Sequence, residues 1–86
     1  MTAPFKLTHL QPGDRLRVVQ GFTDFDGVAW AEGRTLEFVD YGYVPYEGGY
    51  TFTFREGTLR LAHLDAANDR VLRSPEEYFA RVAPGA

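Results

Sequence analysis

The stretch YTFTF at residues 50–54 is the clearest strand in this sequence. Its three aromatic residues alternate with two threonines, so the rings share one face and the hydroxyls share the other, as in a half-buried strand. Turn sequences bound the stretch on both sides, with EGG at 47–49 and REG at 55–57. We therefore predict a strand that pairs with a neighbour across each turn, in a register set by its aromatic face.

The same alternation recurs in three further stretches. They are RLRVVQGF at 15–22, RTLEFVD at 34–40 and TLRLA at 58–62. In each of them apolar residues alternate with polar or charged residues, which predicts short antiparallel strands with one buried face. Together with residues 50–54, these stretches give four strands that are separated by turns or loops.

Other features predict interruptions of these strands. The slip in alternation at 19–21 predicts a bulge, and Gly42 is expected to break or bend its strand. Residues 43–46 are predicted to continue as an edge, because Pro45 cannot donate to a central ladder. Residues 23–33 lack periodicity and predict a long connection.

The C-terminal part of the chain carries helical signals. Ser74 precedes Pro75 and is followed three residues later by a glutamate, the order of a capping box, so we predict a helix from Pro75 to about Val82. The preceding residues 64–72 fit either a helical turn capped by Asp65 or a short closing strand.

The elements together predict a mainly β fold. We expect a small SH3-like, partly open barrel of about five antiparallel strands with one short C-terminal helix, or alternatively an α+β roll. A chain of 86 residues fits a single domain, 1–86, for which we predict loose ends at 1–5 and 83–86. No apolar run is long enough for a signal peptide or a spanning helix, so we expect a cytoplasmic protein with no membrane association.

The composition excludes several kinds of site. Cysteine is absent, which excludes disulfides, thiolate metal ligation and a catalytic thiol. His9 and His63 lack the spacing of paired metal ligands, and Ser74, the only serine, is better explained as a helix cap than as a nucleophile. We therefore expect no cofactor, no metal site and no catalytic residue, and a small enzyme is a less favoured alternative.

The segment DFDG at 24–27 suggests a calcium site at first. Its alternate carboxylates, Asp24 and Asp26, are similar to the middle of an EF-hand loop. In that register Phe22 and Gly33 would stand where two principal carboxylate ligands are needed. The alternative is an Asx-turn, in which the carboxylates accept backbone N–H bonds and order the loop, and we prefer it.

Four tyrosines, at positions 41, 43, 46 and 50, form the most suggestive cluster. Tyrosine is enriched at recognition surfaces, but at strand spacing core packing of Tyr41 and Tyr43 is the interpretation that we favour. If exposed, the cluster predicts an aromatic floor with an acidic rim, suited to an extended or proline-rich peptide that carries a cation. The predicted protein- or peptide-binding residues are Asp24, Asp26, Trp30, Tyr43, Tyr46, Glu47 and Tyr50.

A basic stripe provides an alternative. Arg15, Arg17 and Arg60 point outward on strands that would be neighbours if the barrel closed its first strand against a late one, and such a stripe suits nucleic acid. The net charge of −3 and the dispersed arginines make a nucleic-acid partner less favoured than a protein. An exposed sheet edge near Pro45 would suit a homodimer, so monomer and homodimer both stay open.

Two segments carry a family resemblance. FTDFDG at 22–27 and PYEGGYTF at 45–52, with Gly33 and Phe38, resemble a small bacterial family known only as a domain of unknown function. The resemblance covers roughly residues 10–62. In that family a histidine usually follows the aromatic-Asp-Gly loop, whereas Trp30 stands at that place here. The resemblance implies a small β-rich bacterial domain and brings no particular activity.

Overall fold

The computed structural model describes residues 4–45 and 48–82. Its strands are β1 (Arg15–Val18), β2 (Phe22–Thr23), β3 (Ala29–Trp30), β4 (Thr35–Val44), β5 (Gly49–Phe54), β6 (Gly57–Ala62) and β7 (Phe79–Val82). One α-helix, α1 (Ala66–Arg73), and two 3₁₀ turns, Leu7–His9 and Pro75–Glu77, complete the described elements.

Five of these strands form one antiparallel sheet in the order β6-β5-β4-β1-β7, while β2 and β3 form a separate hairpin. The register brings apolar residues opposite one another, as with Leu16 and Leu36, or Phe52 and Leu59. The predicted mainly β fold, with about five antiparallel strands and one short helix, is therefore confirmed. Within the described residues the sheet does not close, because no ladder joins β6 to β7.

One face of the sheet forms the hydrophobic core. Strand residues from β1, β4, β5, β6 and β7 supply its floor, and the 3₁₀ turn at Leu7–His9, the β2–β3 hairpin and α1 cover it. Fully or nearly fully buried members include Leu7, Leu16, Val18, Trp30, Leu36, Phe38, Phe52, Leu59, Val71 and Phe79. The alternation read from the sequence therefore places these strand side chains on the core face.

The predicted helix over residues 75–82 is wrong. The Ser74 side chain caps nothing, Pro75–Glu77 forms a 3₁₀ turn, and Phe79–Val82 forms β7 along the edge of β1. A two-turn helix is marginal in water, whereas pairing with β1 satisfies the backbone and buries Phe79 completely. Of the two possibilities for residues 64–72 the helical one is found, since Asp65 caps the first turn of α1.

The interruptions of the strands also differ from expectation. β1 ends at Val18, and the register irregularity of a bulge lies instead in β4, between Phe38 and Asp40. β4 does not end at Gly42 but runs on to Val44. The predicted long connection over 23–33 contains most of the β2–β3 hairpin.

The predicted loose ends fall largely on residues outside the described ranges, namely 1–3 and 83–86. Phe5, within the predicted N-terminal loose end, packs partly buried against the core. In the part of the chain that the structure describes, no helix combines the length and the apolar character needed to cross a membrane.

Candidate binding surface

The loop between β2 and β3 is organised by the carboxylate of Asp24. Oδ1 accepts the backbone N–H groups of Asp26 and Val28, at 3.0 and 2.9 Å. Oδ2 accepts the indole N–H of Trp30 at 3.0 Å and the backbone N–H of Arg60 at 3.4 Å. Because a carboxylate offers about four acceptor positions, the 5% exposed Asp24 has none to spare for a partner's cation. The predicted Asx-turn is confirmed at this residue.

Trp30 lies in the core. Its ring is 2% exposed, packs edge-on against Phe54 at 6.4 Å between centroids, and carries the guanidinium of Arg34 at 5.0 Å. A partner cannot reach this ring while the domain is folded. Trp30 and Asp24 therefore stabilise the loop from within instead of forming part of the predicted aromatic floor and acidic rim.

Asp26 is engaged with Arg60 on the far side of the sheet. The Arg60 Nη1 atom lies 3.0 Å from Asp26 Oδ1, and its guanidinium carbon lies 5.9 Å from the Phe25 ring centroid. Across the β5–β6 ladder Arg60 is opposite Thr51, whereas Tyr50 is opposite Leu61. Since directly opposed residues share a face and successive residues alternate, Arg60 and Asp26 lie on the face opposite to Tyr50. The single acidic and aromatic face predicted from the sequence is thus divided between two faces.

Three tyrosines form a continuous aromatic surface at one end of the core face. Tyr43 and Tyr50 are 5.0 Å apart between ring centroids, Tyr41 stacks on Phe52 at 6.0 Å, and Tyr50 stacks on Phe52 at 5.8 Å. Tyr41 is 41% exposed and Tyr43 is 52% exposed, while Tyr50 is half-buried. We call Tyr41, Tyr43 and Tyr50 the tyrosine platform. Core packing of Tyr41 and Tyr43, the interpretation favoured from the sequence, is therefore wrong, because both rings are exposed.

The bulge in β4 creates this platform. Phe38 is opposite Phe54, but after the extra residue Tyr41 is opposite Phe52 and Tyr43 is opposite Tyr50. Without the bulge, strict alternation would send Tyr41 and Tyr43 to the opposite face from Phe38. The extra residue therefore extends the core face of the sheet with rings that no other described element buries.

Tyr46 and Glu47, two more of the predicted binding residues, lie outside the described residues. Their role in binding stays a prediction, while the described residues Val44 and Gly49 pair with each other next to Tyr43 and Tyr50.

The arginines of the predicted basic stripe are not on neighbouring strands. Arg15 and Arg17 lie on β1 and Arg60 lies on β6, with β4 and β5 in between. Three strand spacings separate them by about 14 Å. Carboxylates also interrupt the surface, since Arg15 Nε lies 3.8 Å from Glu37 Oε1 and Arg60 pairs with Asp26.

A cleft of about 190 Å³ adjoins the platform at Tyr50. Its lining residues are Lys6, Leu7, Thr8, Tyr50, His63, Leu72 and Arg73. Beside it, Asp69 lies 2.5 Å from His63 Nδ1 and 2.7 Å from Arg73 Nε. The hydrogen bond with His63, aided by the charge of Arg73 and partly opposed by desolvation, holds the pKa of Asp69 below its ordinary value. No cluster of three or more potential metal ligands occurs among residues 4–45 and 48–82.

Comparison with known proteins shows a similarity in fold to a solved structure. No protein-family model matches the chain, and no curated protein matches it. A solved structure of an integron cassette protein from the mobile metagenome of Vibrio cholerae is similar, with a TM-score of 0.76 and 23% sequence identity. The similarity covers 85% of this chain and 88% of that protein. At this identity the similarity supports the fold alone.

Proposed function

We propose that this domain binds an extended segment of another protein through the tyrosine platform. The observation that carries the proposal is the exposure of Tyr41 and Tyr43 in a ring stack that continues directly from the core. Tyrosine combines a wide apolar face with a hydroxyl that hydrogen-bonds to a partner, and it loses little side-chain freedom on binding. Such residues are enriched at protein interfaces and dominate their energetics.

The surroundings favour a protein partner over a nucleic acid. Stacking tyrosines also suit single-stranded bases, but that mode of binding combines them with a positively charged groove. Here the exposed charge on the strand that carries Tyr41 and Tyr43 is the carboxylate of Asp40, and the chain carries a net charge of −3. Asp40 would repel a phosphate backbone, whereas it would not repel an uncharged or cationic peptide.

The proposal is tested by selection from a random peptide library displayed on phage, followed by titration of the enriched peptides. Tyr43→Ser should weaken binding by roughly 2 kcal/mol, about thirtyfold, as expected for a tyrosine at the centre of an interface. Val28→Ser is the matched control, because Val28 is 46% exposed in the β2–β3 loop, and it should leave the affinity unchanged. Peptide-induced shifts of backbone amides should centre on 39–44 and 50–52.

Salt and oligonucleotides separate the alternatives. Binding of the peptides should change little between low and moderate salt, whereas phosphate contacts would weaken steeply. Saturable binding of a single-stranded oligonucleotide that is lost in Arg60→Ala and retained in Tyr43→Ser would contradict the proposal. Enriched peptides that shift amides only outside the platform would also contradict it.

A further inference from the structure

The edges of the main sheet differ in how far their backbone groups are hydrogen-bonded. The β6 edge is covered at Arg60, because Phe25 N–H donates to the Arg60 carbonyl at 2.8 Å and the Asp24 carboxylate accepts the Arg60 N–H. β7, at the other edge, has only four residues, and short edge strands rarely template further pairing. The second half of β4 is a third edge, since β1 pairs with β4 only at residues 35–37.

This third edge stays open over residues 39–44. Hydrogen bonds of Phe38 with Gly13 and Asp14 extend the contact to the β1 side by one residue. Beyond it, no strand of the described residues pairs with β4 on that side. Residues 39–43 are all exposed. At about 3.4 Å per residue the open edge is roughly 20 Å long, enough for a strand of five or six residues.

The polar groups on the open edge can be assigned from the hydrogen bonds. In an antiparallel strand, backbone groups of successive residues point alternately to the two neighbours. The Tyr41 N–H donates to the carboxylate of its neighbour Asp40 at 2.8 Å, which places it on the open side, away from β5. Alternation then directs the N–H and C=O of Tyr43 to the same side.

The Asp40 carboxylate therefore accepts the hydrogen bond of the Tyr41 N–H, which is one of the few backbone donors that an incoming strand would use. Its side chain belongs to the face opposite to the tyrosine platform, because it shares a pair with Thr53, whereas Tyr41 and Tyr43 pair with Phe52 and Tyr50. When a partner's carbonyl accepts the Tyr41 N–H instead, the exposed Asp40 carboxylate is released and is available to another donor. A cation on the incoming strand supplies that donor.

Gly42 provides the room for that cation. It follows Asp40 on the same face, and a Cβ added there would have no atom within 4 Å. A long basic side chain opposite Gly42 would cross open space and reach the Asp40 carboxylate along the diagonal of the ladder. The residues before and after it on the incoming strand would face Tyr41 and Tyr43.

We infer that the partner of the tyrosine platform adds as a β-strand to the open edge of β4 and carries Arg or Lys opposite Gly42, between residues that pack on Tyr41 and Tyr43. This inference rests on the proposed function and names the chemistry of the partner. A second copy of the chain fits less well, because residues 39–44 contain no cation to meet Asp40, and each copy carries a net charge of −3.

The random peptide library described above supplies the probes. Enriched sequences should contain one Arg or Lys flanked on both sides by aromatic or β-branched residues. N-methylation of the strongest peptide should weaken binding about tenfold or more at alternate residues, whose N–H groups bond to β4, and should be tolerated at the residues between them.

Asp40→Asn tests the charge, because the amide oxygen can still accept the Tyr41 N–H. It should weaken the Arg-containing peptide about two- to fivefold, the effect of an exposed ion pair, and leave its norleucine analogue unaffected. Asp26→Asn, which removes an exposed carboxylate on another element, is the matched control and should change neither affinity.

The outcomes distinguish the proposed function from the proposed mode of strand addition. If Tyr43→Ser abolishes binding but N-methylation is tolerated at every position, strand addition is overturned while the proposed function stands. Enriched peptides that lack a cation, or that bind Asp40→Asn as tightly, overturn the assignment of Asp40. A library without enriched sequences overturns both proposals. Sedimentation of the protein alone should show a monomer; a dimer lost in Tyr43→Pro, which removes an open-edge N–H, would assign the edge to a second copy.

Discussion

Replacing Asp24 by alanine should destabilise the domain by about 3–7 kcal/mol. The substitution removes the acceptor of four N–H groups at once. The indole N–H of Trp30 is buried, and a buried donor left without an acceptor costs about 1–3 kcal/mol. The backbone donors of Asp26, Val28 and Arg60 are partly accessible to water, so each loses only the net value of its bond, about 0.5–1.5 kcal/mol.

Urea unfolding measures this cost, and circular dichroism is a suitable probe because it does not depend on the only tryptophan. Asp26→Asn is the control, since its ion pair with Arg60 is exposed and contributes less than about 1 kcal/mol. A double-mutant cycle of Asp24→Ala with Trp30→Phe should give a coupling of about 1.5–3 kcal/mol, as for a hydrogen bond to a charged group. A cost no larger than that of Asp26→Asn, or a coupling near zero, would refute the account of Asp24 as the organiser of the loop.

Two further predictions concern stability. The hydrogen bond with His63 lowers the pKa of Asp69 in the folded state below its ordinary value of 3.8. The charged carboxylate therefore stabilises the fold fully above about pH 4, and this stabilisation is lost as the pH falls through the lower pKa of the folded state. The urea midpoint of Asp69→Asn should therefore fall less than that of the wild type between about pH 5 and pH 3. Gly27 has φ of +80°, so Gly27→Ala should cost about 1 kcal/mol or more in urea unfolding, whereas Gly42→Ala, at an open position without positive φ, should stay within about 0.5 kcal/mol.

The strands could be predicted from the sequence because each shows the alternation of apolar and polar residues within its own segment. Alternation such as that of 50–54 requires only the burial of one face, and tertiary structure supplies that face wherever the strand lies. The error at 75–82 arose where local signals and tertiary pairing disagree. A capping order at Ser74 favours a helix locally, but an open β1 edge and the burial of Phe79 contribute more, and neither is visible in an isolated segment.

The candidate site was only partly predictable for a related reason. The sequence identifies the tyrosines as a cluster, but their exposure depends on the bulge between Phe38 and Asp40, because a bulge changes the face of every residue that follows it. Asp24 and Trp30 both belong to the predicted binding residues, whereas their hydrogen bond joins two side chains across a loop and is not visible in a linear pattern. The sequence signal that was missed is Asp40 itself, a carboxylate directly before an aromatic residue in an otherwise uncharged edge segment.

At two edges of the sheet a carboxylate accepts a hydrogen bond from a backbone N–H group, with different consequences. At β6 the Asp24 carboxylate accepts the Arg60 N–H while the loop also supplies a donor to the Arg60 carbonyl, so both backbone groups are satisfied within the chain. At β4 the Asp40 carboxylate accepts only the Tyr41 N–H, and the groups of Tyr43 on that side have no strand of the described chain to pair with. A carboxylate that satisfies one donor discourages indiscriminate pairing with uncharged strands without closing the edge. The incomplete protection at Asp40, beside the exposed tyrosines, fits the strand addition that we propose, whereas at Arg60 both backbone groups already have partners within the chain.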